Sequence, residues 1–69
     1  MEVIRSIKVK DLQDEKADEV SRILYDVWGI RNVEVNVDTS EAVVSFNEDS
    51  ASLEDFEQAL MDSGYQIEI

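Results

Sequence analysis

The spacing of apolar side chains switches between two periods along this chain, and the order of the switches limits what it can fold into. Val3, Ile7 and Val9 fall at odd positions, with Ser6, Lys8 and Lys10 between them. A period near two is that of a strand, whose side chains point alternately to opposite faces. Arg5 shares the apolar face near its outer end, and Ile4 interrupts the polar one. A polar stretch follows from Asp11 to Lys16, broken only by Leu12. The period then lengthens. Ala17, Val20, Ile23, Leu24 and Val27 recur at three- and four-residue steps, which makes one face of a helix. Asp14 is expected to cap it, its carboxylate accepting from free amides of the first turn. Glu15 and Asp18 suit the positive end of the helix dipole. Gly29 is expected to stop the helix in the left-handed conformation.

The short period returns with Ile30 and then Val33, Val35 and Val37, alternating with Glu34, Asn36 and Asp38. Thr39, Ser40 and Glu41 read as a turn, after which Ala42, Val44 and Phe46 alternate with Val43 and Ser45. Two strands joined so closely form a hairpin. Asn47 to Ala51 is a polar connection, and Ser52 opens a second helix with Asp55 three residues on, a variant of the capping box. Leu53, Phe56 and Leu60 form its stripe, with Ala59 and Met61 at the edge, and Gly64 ends it. Tyr65, Ile67 and Ile69 alternate with Gln66 and Glu68 as a last strand. The order β-α-β-β-α-β predicts an α+β, ferredoxin-like domain over residues 1–69, with both helices on one face of a four-stranded antiparallel sheet.

A 69-residue chain has a small core and usually needs good packing or a staple. Here there is no Cys and no His, so disulfides, thiolate sites and imidazole ligands are all excluded. The formal net charge is −11. Such a surface repels nucleic-acid phosphates and anionic lipid, and it attracts cations or a basic protein. No apolar stretch approaches the ~20 residues of a membrane span, and the first ten residues do not resemble a signal peptide. A cytoplasmic monomer is expected.

Particular residues resemble those of heavy-metal-associated domains, the copper chaperones and the N-terminal modules of metal-transporting ATPases. They are Gly29-Ile30, Val33-Glu34-Val35-Asn36-Val37, Glu41 to Phe46, and the ending Phe56, Ala59-Leu60, Ser63-Gly64-Tyr65. The resemblance covers nearly the whole chain and implies the same fold. In that family a Met-x-Cys-x-x-Cys loop follows the first strand, and its two thiolates hold a soft ion such as Cu(I). Matched from the strand side, Leu12 takes the place of the Met, and Asp14 and Ala17 take those of the cysteines. Matched from the helix side, the cysteines fall on Gln13 and Lys16. The registers differ by one, as if the loop carried an extra residue, and neither supplies a thiol. Leu12 is suited to the anchoring role of the Met. The resemblance also implies that Tyr65 lies beside the loop from Leu12 to Lys16, although a half-buried aromatic opening the last strand needs no such role.

Three candidate sites remain. Asp11, Asp14, Glu15 and Asp18 are the only cluster suited to a metal, and carboxylates suit a hard cation such as Ca²⁺ or Mg²⁺. Asp14 and Asp18 share a helix face, but Glu15 points elsewhere, Lys16 intrudes, and no Asp-x-Asp-x-Asp-Gly pattern is present. Helix capping in a solvated loop explains the same residues. Tyr25 and Trp28 are neighbours three apart, off the apolar stripe, and are a candidate partner contact. The alternative folds Trp28 back over the core edge. Catalysis has little to work with, since the serines have no histidine base. The leading expectation is a non-enzymatic interaction or regulatory module linked to metal transport, with no cofactor. Its partner would be a basic protein, with a metal-transport protein as one candidate. The alternatives are a carboxylate metal-binding domain and an accessory domain of a larger transporter.

Overall fold

The computed structural model describes residues 1–68. Its elements run β1 (Glu2–Val9), α1 (Asp14–Tyr25), β2 (Ile30–Asn36), β3 (Glu41–Asn47), α2 (Leu53–Asp62) and β4 (Ile67–Glu68). The strands form one sheet in the order β2-β3-β1-β4, and every neighbouring pair is antiparallel. The expected architecture is present.

The pairing register sets which side chains share a face. Ile7 and Val35 both lie opposite Ala42, Arg5 and Val33 opposite Val44, and Val3 and Ile30 opposite Phe46. On β2 the step from Ile30 to Asn32 matches a single step from Phe46 to Ser45, so Arg31 is an extra residue. This bulge keeps Ile30 on the core side. Against that face α1 buries Val20 and Leu24, and α2 buries Phe56 and Leu60. Phe46 and Phe56 join the layers, with ring centroids 4.9 Å apart at 47°. Ile23 is only half-buried, while Ile4 stands exposed on the open face of the sheet.

The element ends depart from expectation. Gln13, and not Asp14, occupies the N-cap of α1, and no side chain caps there; Asp14 is the first helical residue. Its carboxylate still meets the positive end of the dipole. Val27 continues the helical spacing but lies beyond the helix, which ends at Tyr25 with Asp26 as C-cap. Gly29 therefore ends no helix. Its φ of +94° turns the chain into β2, and an added Cβ would come within 3.0 Å of the Ala51 Cβ. Val37 belongs to the β2–β3 turn and Glu41 to β3.

Ser52 caps α2 as expected, and the Asp55 carboxylate accepts its backbone N–H at 3.0 Å. Gly64, with φ +95°, does close α2: its N–H reaches the Met61 carbonyl, and the Tyr65 N–H reaches that of Leu60, both at 3.0 Å. This double bond pattern is the Schellman motif. Tyr65 lies outside β4, and Ile69, read as the end of the last strand, lies outside the described residues.

Candidate functional site

The segment between β1 and α1 is where the resemblance to heavy-metal-associated domains places a metal loop. Asp11 takes a positive φ of +58°, which turns the chain at the end of β1. The Lys10 N–H is tied to the Gln66 carbonyl at 2.9 Å. Leu12 is the only side chain of the loop that enters the core. A buried leucine fixes the loop by packing alone, since it offers no donor or acceptor. Gln13, Asp14 and Lys16 are exposed, and Ala17 is half-buried. The Lys16 N–H donates to the Gln13 carbonyl at 2.9 Å, so the helix opens on a backbone turn with no side-chain cap.

Tyr65 reaches past this loop. Its hydroxyl donates to the Glu19 carboxylate at 2.9 Å, one turn further into α1 than the loop itself. Burial raises its pKa, and the hydrogen bond to Glu19 and the charge of Glu19 raise it further. The ring also lines a shallow cleft with Lys10, Asp11 and Gln66. Nothing local in the sequence marks Glu19 as its partner, because the two residues are 46 positions apart.

The four acidic residues of the candidate cluster, Asp11 in the loop and Asp14, Glu15 and Asp18 on α1, are all exposed. Among the described residues no three acidic side chains converge to hold a metal ion. For a soft ion the donors do not fit either. The only sulfur atoms belong to Met1 and Met61. The Met1 ammonium bonds Asn47 and Asp49 at the end of β3, whereas Met61 lies in a cleft with Lys10 and Tyr65. The two thioethers therefore sit in separate places.

Tyr25 and Trp28 stand at the far end of α1, about 18 Å from its start at 1.5 Å per residue. They are not equivalent. The Tyr25 hydroxyl accepts the Val33 N–H and donates to the Asn32 side chain, both at 3.1 Å. It thus ties the end of α1 to the outer strand β2. Trp28 is 82% exposed and walls an open groove of about 410 Å³ with Asp26 and Arg31.

The charge is layered. The two helices carry eight acidic side chains against Lys16 and Arg22. The open face of the sheet is closer to balance, with Lys8 paired opposite both Glu41 and Glu68. The Glu41 carboxyl is held below its ordinary value by hydrogen bonds from the Ser6 and Thr39 hydroxyls, with Lys8 adding to the effect. No helix among the described residues is long and apolar enough to cross a membrane.

Known proteins share this fold. No curated protein is detectably similar in sequence. Oxidized MerP from Ralstonia metallidurans superposes with a TM-score of 0.91 at 23% identity, over 99% of this chain and 96% of that one. The CsoZ metallochaperone gives 0.86 at 21% identity over the full length of both chains. The Cu(I)-loaded N-terminal domain of a potential copper-translocating P-type ATPase from Bacillus subtilis gives 0.88 at 21% identity, over all of this chain and 88% of that one. Identities this low speak for the fold alone. The family model for the heavy-metal-associated domain, however, matches residues 6–66, and the chain belongs to that family.

Proposed function

We propose that this domain is a non-catalytic contact module of the heavy-metal-associated family. It works in connection with metal transport, in the cytoplasm, by engaging a protein with a basic surface. The observation that carries the proposal is the β1–α1 loop. It keeps a buried anchor in Leu12, yet Gln13, Asp14, Lys16 and Ala17 present no donor that suits a soft metal. Such a loop has lost the chemistry of metal transfer and retained the shape of the domain around it. The acidic helix layer supports a basic partner, since complementary charge speeds encounter and selects among partners. The net charge of −11 also disfavours self-association, which supports a monomer. A transport-linked partner is proposed because one of the similar structures is a domain of a potential copper-translocating ATPase.

The test is competition for Cu(I) under reducing conditions against a chelator of micromolar or better affinity. The copper is expected to stay on the chelator. Retention of one equivalent by the protein would overturn the proposal, because the domain would then be a metal carrier with unrecognised ligands.

A further inference from the structure

We propose that the outer edge of the last part of β2, Glu34 to Asn36, together with the turn residues Val37 and Asp38 that follow it, is a docking strand for an extended basic segment of a partner protein. This rests on the contact-module reading above and gives that module a surface.

The edge is open along only part of its length. β2 is the last strand on its side of the sheet, so one row of its backbone groups points away from β3. The Val33 N–H shows which residues form that row, because it points outward and is taken by the Tyr25 hydroxyl at 3.1 Å. Strand residues two apart share an orientation. Val35 therefore also directs its N–H outward, beyond the reach of Tyr25. An outward-facing edge is a template for one more strand.

The surroundings of the edge select its occupant. A groove of about 620 Å³ wraps it, with Ala17, Val35 and Val37 half-buried on the helix side and Val43 half-buried on the open face. Its charged residues are Asp14, Glu34 and Asp38, with no basic group among them. A second copy of this chain would bring the same three carboxylates against them. A cationic strand would instead place apolar side chains against Val35 and Val37, and lysine or arginine beside Glu34 on the other face, where cross-strand pairs of opposite charge are favourable. The occupant is thus a segment of alternating basic and β-branched residues. The groove at Trp28 presents one acid and one base, Asp26 and Arg31, and selects no charge.

The experiment titrates the ¹⁵N-labelled domain with a peptide of alternating lysine and valine. A control peptide carries proline at alternate valines, which keeps the charge and removes backbone donors. The expected result is saturable binding of the first peptide, shifts centred on Glu34–Asp38, and slowed hydrogen exchange at the Val35 amide. The control should bind at least about tenfold more weakly. Glu34→Lys with Asp38→Lys should weaken binding by about tenfold or more. Glu48→Lys with Glu54→Lys makes the same change in net charge elsewhere and should leave affinity within about threefold. Equal losses in both double variants, or equal binding of both peptides, would overturn the docking strand and leave the contact-module reading standing. Dimerisation of the free domain through β2 would also overturn it. No binding of either peptide at low salt would overturn both.

Discussion

Leu24 and Trp28 lie four residues apart, yet they do different work. Leu24 is wholly buried between α1 and the sheet, and Trp28 is 82% exposed. Leu24→Ala removes packing that the surrounding core cannot refill and should cost ~2–5 kcal/mol. Small domains sit near the low end of the ~5–15 kcal/mol typical of folded proteins, so this variant should be severely weakened or unfolded. Trp28→Ala removes a side chain already in water and should change stability by only about 0.5 kcal/mol. Paired urea melts measure both, and equal destabilisation would make Trp28 a core residue. The burial of Val20 and Leu24 could be read from helical spacing, because spacing reports which face a residue occupies, whereas the exposure of Trp28 could not, because Trp28 lies beyond the last helical residue. The partners of Tyr25 and Tyr65 could not. Each aromatic is positioned by its hydroxyl, which meets the Val33 amide and the Asn32 side chain in one case and Glu19 in the other. A contact between separate elements leaves no periodic trace.

At the scale of elements, the order β-α-β-β-α-β was legible because each change of apolar period marks a change of backbone. The ends were less legible. Val27 keeps burying apolar surface after α1 has stopped, so periodicity runs past the last helical residue. The two glycines illustrate the same limit. Both were expected to terminate helices, and both have positive φ, but their surroundings differ. Gly64 closes α2, and a Cβ there would meet nothing within 4 Å. Gly29 packs against the loop before α2, where a Cβ would lie 3.0 Å from the Ala51 Cβ and 3.1 Å from the Ser50 Cβ. Gly64→Ala should cost only the left-handed backbone penalty of about 1–2 kcal/mol. Gly29→Ala adds overpacking against two backbone-fixed carbons and should cost about 2–4 kcal/mol in all. Equilibrium denaturation of the two variants checks the ranking. Equal losses would mean that the loop at Ala51 yields freely and that Gly29 is there for its φ alone.

For the whole molecule, charge is the feature that the sequence states most plainly and the fold leaves least compensated. Eleven net negative charges are held within a radius of gyration of 10.8 Å. An unfolded chain of this length spreads the same charges over about 25 Å, so folding concentrates repulsion. Little attraction offsets it. Among the described residues one ion pair forms, between the Met1 ammonium and Asp49 at 3.1 Å, and both partners are largely exposed. Exposed pairs of this kind contribute little. The screening length is about 30 Å at 0.01 M salt and about 10 Å at 0.1 M. The longest dimension of the domain is 31 Å. At the lower concentration every charge therefore feels nearly every other, whereas at the higher one only neighbours interact. Stability should rise as sodium chloride increases from about 0.01 to 0.15 M, seen as a higher urea midpoint with an unchanged slope. The same salt step taken near the isoelectric point of about 4.1 should do much less, because the net charge has gone. Salt that lowered the midpoint at neutral pH would mean that local attractions, such as Lys8 between Glu41 and Glu68, outweigh the repulsion. A salt effect of equal size at both pH values would point to general strengthening of apolar burial instead. The expected pattern separates these causes because only long-range repulsion depends on both salt and net charge.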